Sequence, residues 1–360
     1  MGSRIAALFA AAGVPVLLLD VNERLAQQGL TRAQAGALVG AQVTAASFAD
    51  GIPMLRGFDW VLEAVRENLE IKRALWTQAA PYLASHAIAS SNTSGLSLAG
   101  LAAGLPLEFR RQFLGVHFFN PPSRLHLVEV ICTADTATEI SGRAVRFVAK
   151  RLGKGVVEAR DTPNFIANRI GAYFSAIAQR LALEGNWTVE EVDALTGPLI
   201  GMPRTGTFRL MDGIGLDVWA EVLQTLAPTD PHFELPPYFR EMLNRGWLGD
   251  KTGGGFYRKS AVGETKTIQA LDLNLLDYRP TIAPDANAAI AIDPLPNRLR
   301  HLFSLNDRNS EFLRPLLRDL IGYSHQVAPH IANAPSDLDR AMRWGYGWAL
   351  GPFELEAALG

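Results

Sequence analysis

His117 lies in the apolar stretch Gly115-Val116-His117-Phe118-Phe119-Asn120-Pro121, and Glu129 follows in a second apolar run. Histidine takes or gives a proton near neutral pH, and a carboxylate at its far ring nitrogen fixes the tautomer and stabilises the imidazolium. The spacing suits two adjacent strands joined by the turn Pro121-Pro122-Ser123. The pattern predicts a proton-transferring pair, although it also fits a structural core histidine beside an edge-strand glutamate.

Charge and composition narrow the possible partners. The chain has 360 residues, 48% of them hydrophobic, and 34 basic residues against 36 acidic ones leave a net charge of −2. Such a balance provides no field that would recruit nucleic acid or an anionic membrane surface. The length suggests about two domains. We therefore expect a soluble, globular protein that does not bind nucleic acid.

Cys132 is the only cysteine, so an internal disulfide is impossible. We expect Cys132 to be a core residue and the protein to lie in a reducing compartment, the cytoplasm. The first twenty residues imitate a secretory signal, but Gly13-Val14-Pro15 interrupts the apolar run and no small-residue cleavage site follows. No later run approaches the length of a membrane span. The histidines lack ligand-like spacing, so we predict no metal site.

Residues 1–160 alternate short β-rich runs with helical ones, which indicates a parallel sheet with crossover helices. The runs predicted as strands are Val16–Leu19, Asp59–Val65, Ala87–Ser91, Phe113–Phe119, Leu125–Ile131 and Val156–Ala159. Residues 161–260 have helical periodicity, with a capping box at Thr188-Val189-Glu190-Glu191. We expect an α/β domain followed by an all-α domain.

Beyond residue 260 the prediction is a connector over residues 261–310, rich in proline, and then a second helical segment over residues 311–360. The segment from Val192-Asp193 to Gly215 is echoed from Leu338-Asp339 to Gly360. This self-similarity predicts a partial second copy of one helical unit.

The N-terminal residues resemble the back half of a dinucleotide fingerprint. Gly2 opens a predicted helix, and a following strand ends at Asp20, at the distance expected between the last fingerprint glycine and the acid that binds the ribose hydroxyls. The first strand and two leading glycines of that motif are not in the sequence, which we expect to be truncated at both ends. An ordinary helix-turn-strand remains the alternative.

Five ordered motifs together resemble the L-3-hydroxyacyl-CoA dehydrogenase family, and the trailing repeat resembles its large bacterial fatty-acid β-oxidation type. The motifs are Ser91-Asn92-Thr93-Ser94, His117-Phe118-Phe119-Asn120-Pro121, Glu129, Asp161-Thr162-Pro163-Asn164-Phe165-Ile166-Ala167-Asn168-Arg169 and Lys251-Thr252-Gly253-Gly254-Gly255-Phe256-Tyr257. The resemblance implies a Rossmann-like doubly wound sheet with its first strand missing, an all-α C-terminal domain and a partial second helical repeat.

The resemblance also implies a reaction, the oxidation of the 3-hydroxyl of an L-3-hydroxyacyl-CoA thioester to a 3-ketoacyl-CoA, with NAD as hydride acceptor. His117 would be the general base and Glu129 its partner. Ser94 and Asn168 would hydrogen-bond the substrate. The residues at positions that contact NAD in the family are Gly2, Asp20, Glu67, Lys72, Asn120 and Lys251.

Three departures from the family pattern keep alternatives open. The front of the fingerprint is missing, the segment Val21–Arg56 is short, and Gly201-Met202-Pro203-Arg204 replaces the Gly-Pro-Phe-Glu form kept at Gly351–Glu354. A truncated, non-catalytic fragment that binds no NAD and acts as an acyl-CoA-binding or assembly module is the main alternative. A sugar-nucleotide or short hydroxyacid dehydrogenase is another. We expect either a homodimer or part of a larger multidomain β-oxidation enzyme.

Overall fold

The computed structural model describes residues 1–36, 42–262, 265–284 and 287–360. They form two compact units. The first comprises Met1–Phe165 and His330–Asn333, and the second comprises Ile166–Pro329 and Ala334–Gly360.

The first unit alternates strands and helices as the sequence predicts. Its strands are β1 (Val16–Asp20), β2 (Val43–Ser47), β3 (Trp60–Glu63), β4 (Ile88–Ser91), β5 (Phe113–Phe118), β6 (Leu127–Cys132) and β7 (Gly155–Arg160). Its helices are α1 (Gly2–Ala11), α2 (Glu23–Gly36), α3 (Phe48–Gly51), α4 (Leu69–Ala79), α5 (Leu98–Ala102), α6 (Leu107–Gln112) and α7 (Thr138–Lys150). Strand β2 escaped prediction because its alanines, serine and threonine give a weak apolar pattern.

Strands β3 to β7 form one five-stranded sheet and lie in sequence order, while β1 and β2 pair in a separate parallel sheet. Within the larger sheet β5 and β6 are antiparallel and the other neighbours are parallel. The short turn between β5 and β6 accounts for this exception, because a parallel connection needs a longer crossover. The predicted class, a Rossmann-like α/β domain followed by a helical domain, is confirmed.

Helix α1 packs against both sheets of the first unit. Its larger residues, Ile5 and Phe9, lie in one buried cluster with Val116 of β5. Its small residues, among them Ala6, lie in a second cluster with Val43 of β2. Since the two sets occupy different faces of the helix, α1 joins the sheets through packing.

The second unit is mainly helical. Its helices are α8 (Ala167–Glu184), α9 (Val189–Leu195), α10 (Phe208–Ile214), α11 (Leu216–Leu226), α12 (Pro237–Asn244), α13 (Leu295–Ser304), α14 (Arg308–Ile331, whose last two residues belong to the first unit), α15 (Pro335–Ala341) and α16 (Pro352–Leu359). Its strands are β8 (Tyr257–Val262), β9 (Thr265–Asp272) and β10 (Asp277–Pro280), which form an antiparallel sheet. The predicted capping box forms between Thr188 and Glu191 at the start of α9.

The expectation of an irregular connector over residues 261–310 was wrong for three elements, since β9, β10 and α13 lie there. The prolines suggested a connector, but they stand where regular structure tolerates them. Pro280 ends the edge strand β10, and Pro294 immediately precedes α13, with Pro296 in its first turn.

The predicted repeat is visible in the second unit as the same hydrogen bond made twice. Asp193 accepts a bond of 2.6 Å from the backbone amide of Phe208 at the start of α10. Asp339 accepts one of 2.9 Å from the backbone amide of Phe353 at the start of α16. Each carboxylate therefore satisfies an amide that would otherwise lack an intrahelical partner. The two segments of the predicted repeat therefore make the same contact at the start of a helix.

Cys132 lies at the end of β6 and is only partly buried, so the expectation of a full core position was wrong. Burial still raises the pKa of its thiol. No helix within the described part of the chain is both long and apolar enough to cross a membrane.

Candidate active site

His117 and Glu129 are direct partners in the β5–β6 register, and their side chains meet. The Nδ1 atom of His117 lies 2.8 Å from Oε2 of Glu129, and the two residues are 4% and 0% exposed. With a proton on Nδ1 donated to the carboxylate, Nε2 is the ring nitrogen that can accept a substrate proton. The predicted pair is therefore formed in the structure.

Two aromatic rings lie beside His117. The ring centroids of Phe119 and Phe165 lie 4.4 and 5.8 Å from that of His117. Both phenylalanines are buried. Little water reaches the histidine, which strengthens its electrostatic interaction with Glu129.

Ser94 lies in the loop that follows β4, and Glu67 holds this loop. One carboxylate oxygen of Glu67 accepts bonds from the Thr93 hydroxyl at 2.5 Å and from the Ser94 backbone amide at 2.8 Å. At the same end of the sheet, Asn92 accepts from the backbone amide of Phe118 at 3.0 Å. The loop after β4 is thus attached both to Glu67 and to the strand that carries His117.

Lys72 has a position that the sequence did not predict. It is 1% exposed, and its Nζ lies 2.8 Å from Glu63 and 3.2 Å from Glu67. A third bond of 3.3 Å goes to the backbone carbonyl of Val65. Because an ammonium group has three donors, these contacts occupy it fully. Lys72 therefore anchors Glu67. Glu63, absent from the predicted site, is its closest partner.

The motif Asp161–Phe165 holds the other end of the loop after β4. Asp161 accepts bonds of 2.8 Å from the backbone amides of Leu98 and Ala99, at the start of α5. Asn164 and Phe165 have φ angles of 57° and 51°. Left-handed conformations in residues other than glycine cost energy and tend to occur at functional sites. The sequence contained this motif, but its clamping role depends on contacts between distant segments.

Asp20 is the last residue of β1, and Asn120 lies two residues after β5, so both lie at carboxyl ends of strands, where α/β sheets bind nucleotides. The side chain of Asn120 accepts a hydrogen bond from Arg4 in the first turn of α1. A Cβ at Gly2 would meet only Ala64, at 3.8 Å, so packing between the described residues does not require glycine there. A cation in the first turn of α1 and a carboxylate at the end of β1 fit a dinucleotide's phosphate and ribose.

Asn168 belongs to the second unit, in the first turn of α8. Its Oδ1 lies 3.4 Å from the hydroxyl of Tyr346, a residue that the sequence did not single out. The next residue, Arg169, donates a bond of 2.9 Å to the hydroxyl of Tyr323 on α14. The start of α8 is therefore held by two tyrosines from much later in the chain.

Lys251 forms an ion pair with Asp217, and each side chain is 44% exposed. The glycine-rich turn that follows is fixed by Asp212, which accepts bonds of 2.8 Å from the backbone amides of Phe256 and Tyr257. Burial raises the pKa of Asp212 to about 6 in spite of these bonds. The motif thus has a rigid frame and an accessible lysine.

Asp193 is also buried. Burial raises its pKa to about 7, outweighing the hydroxyl of Tyr257 at 2.7 Å and the amides of Phe208 and Arg209, which lower it. No group of three or more histidine, cysteine or acidic residues within the described ranges is arranged to hold a metal ion.

Two family models match the chain in succession. Residues 1–162 match the model "3-hydroxyacyl-CoA dehydrogenase, NAD binding domain", and residues 165–259 match "3-hydroxyacyl-CoA dehydrogenase, C-terminal domain".

Among curated proteins, the chain is 37% identical to a probable 3-hydroxyacyl-CoA dehydrogenase of Bacillus subtilis, covering 100% of this chain and 50% of that protein. It is 40% identical to a probable 3-hydroxyacyl-CoA dehydrogenase of Deinococcus radiodurans, over 72% of this chain and 80% of that protein. The chain thus spans about half the length of the Bacillus relative.

Among solved structures, 3-hydroxybutyryl-CoA dehydrogenase of Escherichia coli K12 is similar with a TM-score of 0.74. The similarity covers 100% of this chain and 89% of that one, at 23% sequence identity. It supports the fold, including the part of the chain that lies beyond the two matched models.

Proposed function

Because the chain belongs to the 3-hydroxyacyl-CoA dehydrogenase family, we propose that it oxidises L-3-hydroxyacyl-CoA thioesters to 3-ketoacyl-CoA with NAD⁺ as hydride acceptor. The observation that carries this proposal is the buried contact of 2.8 Å between His117 and Glu129. A general base paired with a carboxylate suits removal of a hydroxyl proton. The family models supply the cofactor and substrate class that the pair alone leaves open.

In the proposed reaction, Nε2 of His117 takes the proton of the 3-hydroxyl group while the C3 hydrogen leaves as hydride and the C3–O bond becomes a carbonyl. NAD⁺ would accept that hydride together with its electron pair. Glu129 stabilises the imidazolium that forms and keeps the ring in the productive tautomer. The phenylalanine rings beside His117 limit the access of water. Water would weaken the electrostatic interaction between Glu129 and the imidazolium.

The residues of the first unit fit NAD in part. Asp20 would bind the ribose hydroxyls of NAD. Asn120 and Arg4 would lie beside its phosphates or its nicotinamide. Glu67 and Lys72 would act on the cofactor side indirectly, by fixing the loop after β4. Lys251 would contribute a charge from the second unit.

For the substrate, we propose that Ser94 and Asn168 hydrogen-bond the oxygens of the acyl group. Donors aimed at an oxygen on which charge develops are a large part of enzymatic rate enhancement. The loop of Ser94 is held by Glu67, and the start of α8 is held by Arg169, so both side chains project from fixed backbone.

The experiment combines NADH titration by calorimetry with oxidation of 3-hydroxyacyl-CoA substrates of increasing chain length. We expect NADH binding and NAD⁺-dependent formation of 3-ketoacyl-CoA. Absence of NADH binding would favour a non-catalytic acyl-CoA-binding or assembly module. Oxidation of hydroxyacids that lack CoA, with no activity on any acyl-CoA, would instead favour a different dehydrogenase.

For the cellular context we propose the cytoplasm, either as a homodimer or as part of a larger multidomain β-oxidation enzyme. The support is a free cysteine, typical of a reducing compartment, and a Bacillus relative of about twice this length. Cell fractionation and the native mass of the protein in cell extract test both statements. Recovery from the medium, or as a monomer of this length, would contradict them.

A further inference from the structure

Tyr346 reaches Asn168 from the second helical repeat. Its hydroxyl lies 3.4 Å from Oδ1 of Asn168, the amide oxygen. Tyr346 ends a π-helical turn, Met342–Tyr346, that continues α15. Single π-helical turns are rare and often occur at functional sites.

The ring of Tyr346 is placed by a close approach to α8. A Cβ at Gly171 would lie 2.5 Å from Cε1 of Tyr346 and 2.6 Å from its hydroxyl oxygen. Gly171 is one helical turn after Asn168, so both residues lie on the same face of α8. Only a glycine at this position lets the tyrosine reach the amide.

Packing of the second repeat supports the same placement. Trp348, two residues after Tyr346, contacts Phe174 of α8 with ring centroids 5.2 Å apart. The ring of Tyr346 is thereby held near Asn168 by its own neighbours along the chain.

The repeat itself does not account for this tyrosine. Gly347 and Gly201 both have left-handed φ angles, 70° and 78°, and occupy the same place in the two copies. The residue before Gly201 is Ile200, whereas the residue before Gly347 is Tyr346. The hydroxyl therefore occurs in only one copy, the copy that faces Asn168.

We propose that Tyr346 is a positioning residue that sets the orientation of the Asn168 carboxamide. This inference rests on the proposed function, in which Asn168 binds an acyl oxygen. A carboxamide has an oxygen that accepts and an NH₂ group that donates, and its network decides which end faces a ligand. By donating to Oδ1, the phenol directs Nδ2 away from itself, so that Asn168 offers a donor to the substrate.

At 3.4 Å the contact is at the long end of the range for a hydrogen bond. We expect Tyr346→Phe to lower kcat/KM by about 3- to 10-fold, an effect typical of losing one hydrogen bond to a substrate-binding group. Tyr238→Phe is the matched control, since that hydroxyl bonds Gln179, which lies about three turns of α8 beyond Asn168. It should leave kcat/KM within twofold.

A double-mutant cycle separates positioning from general support of the fold. In an Asn168→Ala background, Tyr346→Phe should change kcat/KM by less than twofold. An equal loss in both backgrounds, or full activity of the single variant, would overturn the proposal. Gly171→Ala should reproduce the loss by displacing the ring, while Gly322→Ala, at a helical glycine with open space around it, should not.

A spectroscopic measurement tests the contact without activity. In protein labelled with ¹⁵N-asparagine, the Asn168 side-chain amide signal, identified by its loss in Asn168→Ala, should shift in Tyr346→Phe and stay in place in Tyr238→Phe. An unchanged signal in Tyr346→Phe would overturn the contact. Wild-type protein that oxidises no acyl-CoA would refute the proposed function, and the amide signal would still decide between presence and absence of this contact.

Discussion

Glu67 and Ser94 are joined by a hydrogen bond of 2.8 Å from the Ser94 backbone amide to the Glu67 carboxylate. Glu67 in turn contacts the buried ammonium group of Lys72 at 3.2 Å. The loop that carries a proposed substrate-binding serine is therefore tied to an ion pair inside the first unit. NAD contact for both charged residues, which the resemblance to the family implies, stays a prediction, and the contacts within the first unit add a structural task.

The first prediction concerns this link. Glu67→Gln should lower kcat/KM by roughly 10- to 10²-fold, because small displacements of substrate-positioning groups have effects of that size. It should also reduce the free energy of unfolding by about 1–3 kcal/mol through weaker bonding to Lys72. Steady-state kinetics and urea unfolding measure the two effects. Glu70→Gln is the control, since that side chain is 80% exposed. Equal behaviour of the two variants would contradict the prediction.

The second prediction concerns the proposed base. His117→Gln should lower kcat by roughly 10²–10⁴-fold and leave NADH affinity nearly unchanged, because only proton transfer is lost. The measurements are turnover of 3-hydroxybutyryl-CoA and NADH titration. His86→Gln should keep wild-type turnover, since His86 is an exposed residue paired with Asp59. Near-normal turnover of His117→Gln would mean that another group is the base.

The third prediction is a pH dependence of stability. Burial raises the pKa of Asp193 to about 7, so its carboxylate binds a proton more tightly in the folded protein than in the unfolded chain. Between about pH 4 and pH 7 the folded state holds more protons, and its stability contribution from Asp193 falls as pH rises. Asp193→Asn removes this dependence.

The effect is measured as the difference in unfolding free energy between wild type and Asp193→Asn at pH 4.5 and 7.5. The variant should gain at least about 1 kcal/mol relative to wild type at the higher pH. A difference that is constant with pH, or that moves in the opposite direction, would show that Asp193 is ionised throughout.

The fourth prediction concerns the first helical repeat. Gly206 has a φ of 61°, and a Cβ there would lie 2.5 Å from the carbonyl oxygen of Asp193. Gly206→Ala should lower the free energy of unfolding by about 2–4 kcal/mol, from strain in φ and from overlap with backbone. Gly213→Ala is the control, because nothing lies within 4 Å of a Cβ there. Urea unfolding compares them, and similar stabilities would refute the stated overlap.

Much of the fold could be predicted because it depends on short-range patterns. Strands β3, β5, β6 and β7 follow from runs rich in β-branched, aromatic and other apolar residues, and α8 and α9 follow from apolar periodicity and a capping box. The pairing of His117 with Glu129 was also predictable, since a short turn between two strands fixes their register.

The sequence by itself thus determined most elements of the first unit and the pairing of His117 with Glu129, because these depend on residues close along the chain. The tertiary structure alone decided the burial of Lys72 between two glutamates and the contact of Tyr346 with Asn168. Those contacts depend on where helices and loops pack, and packing brings together side chains whose separation along the chain leaves no periodic signal. The same is true of β9, β10 and α13, where proline suggested a connector and the surrounding fold supports regular structure instead.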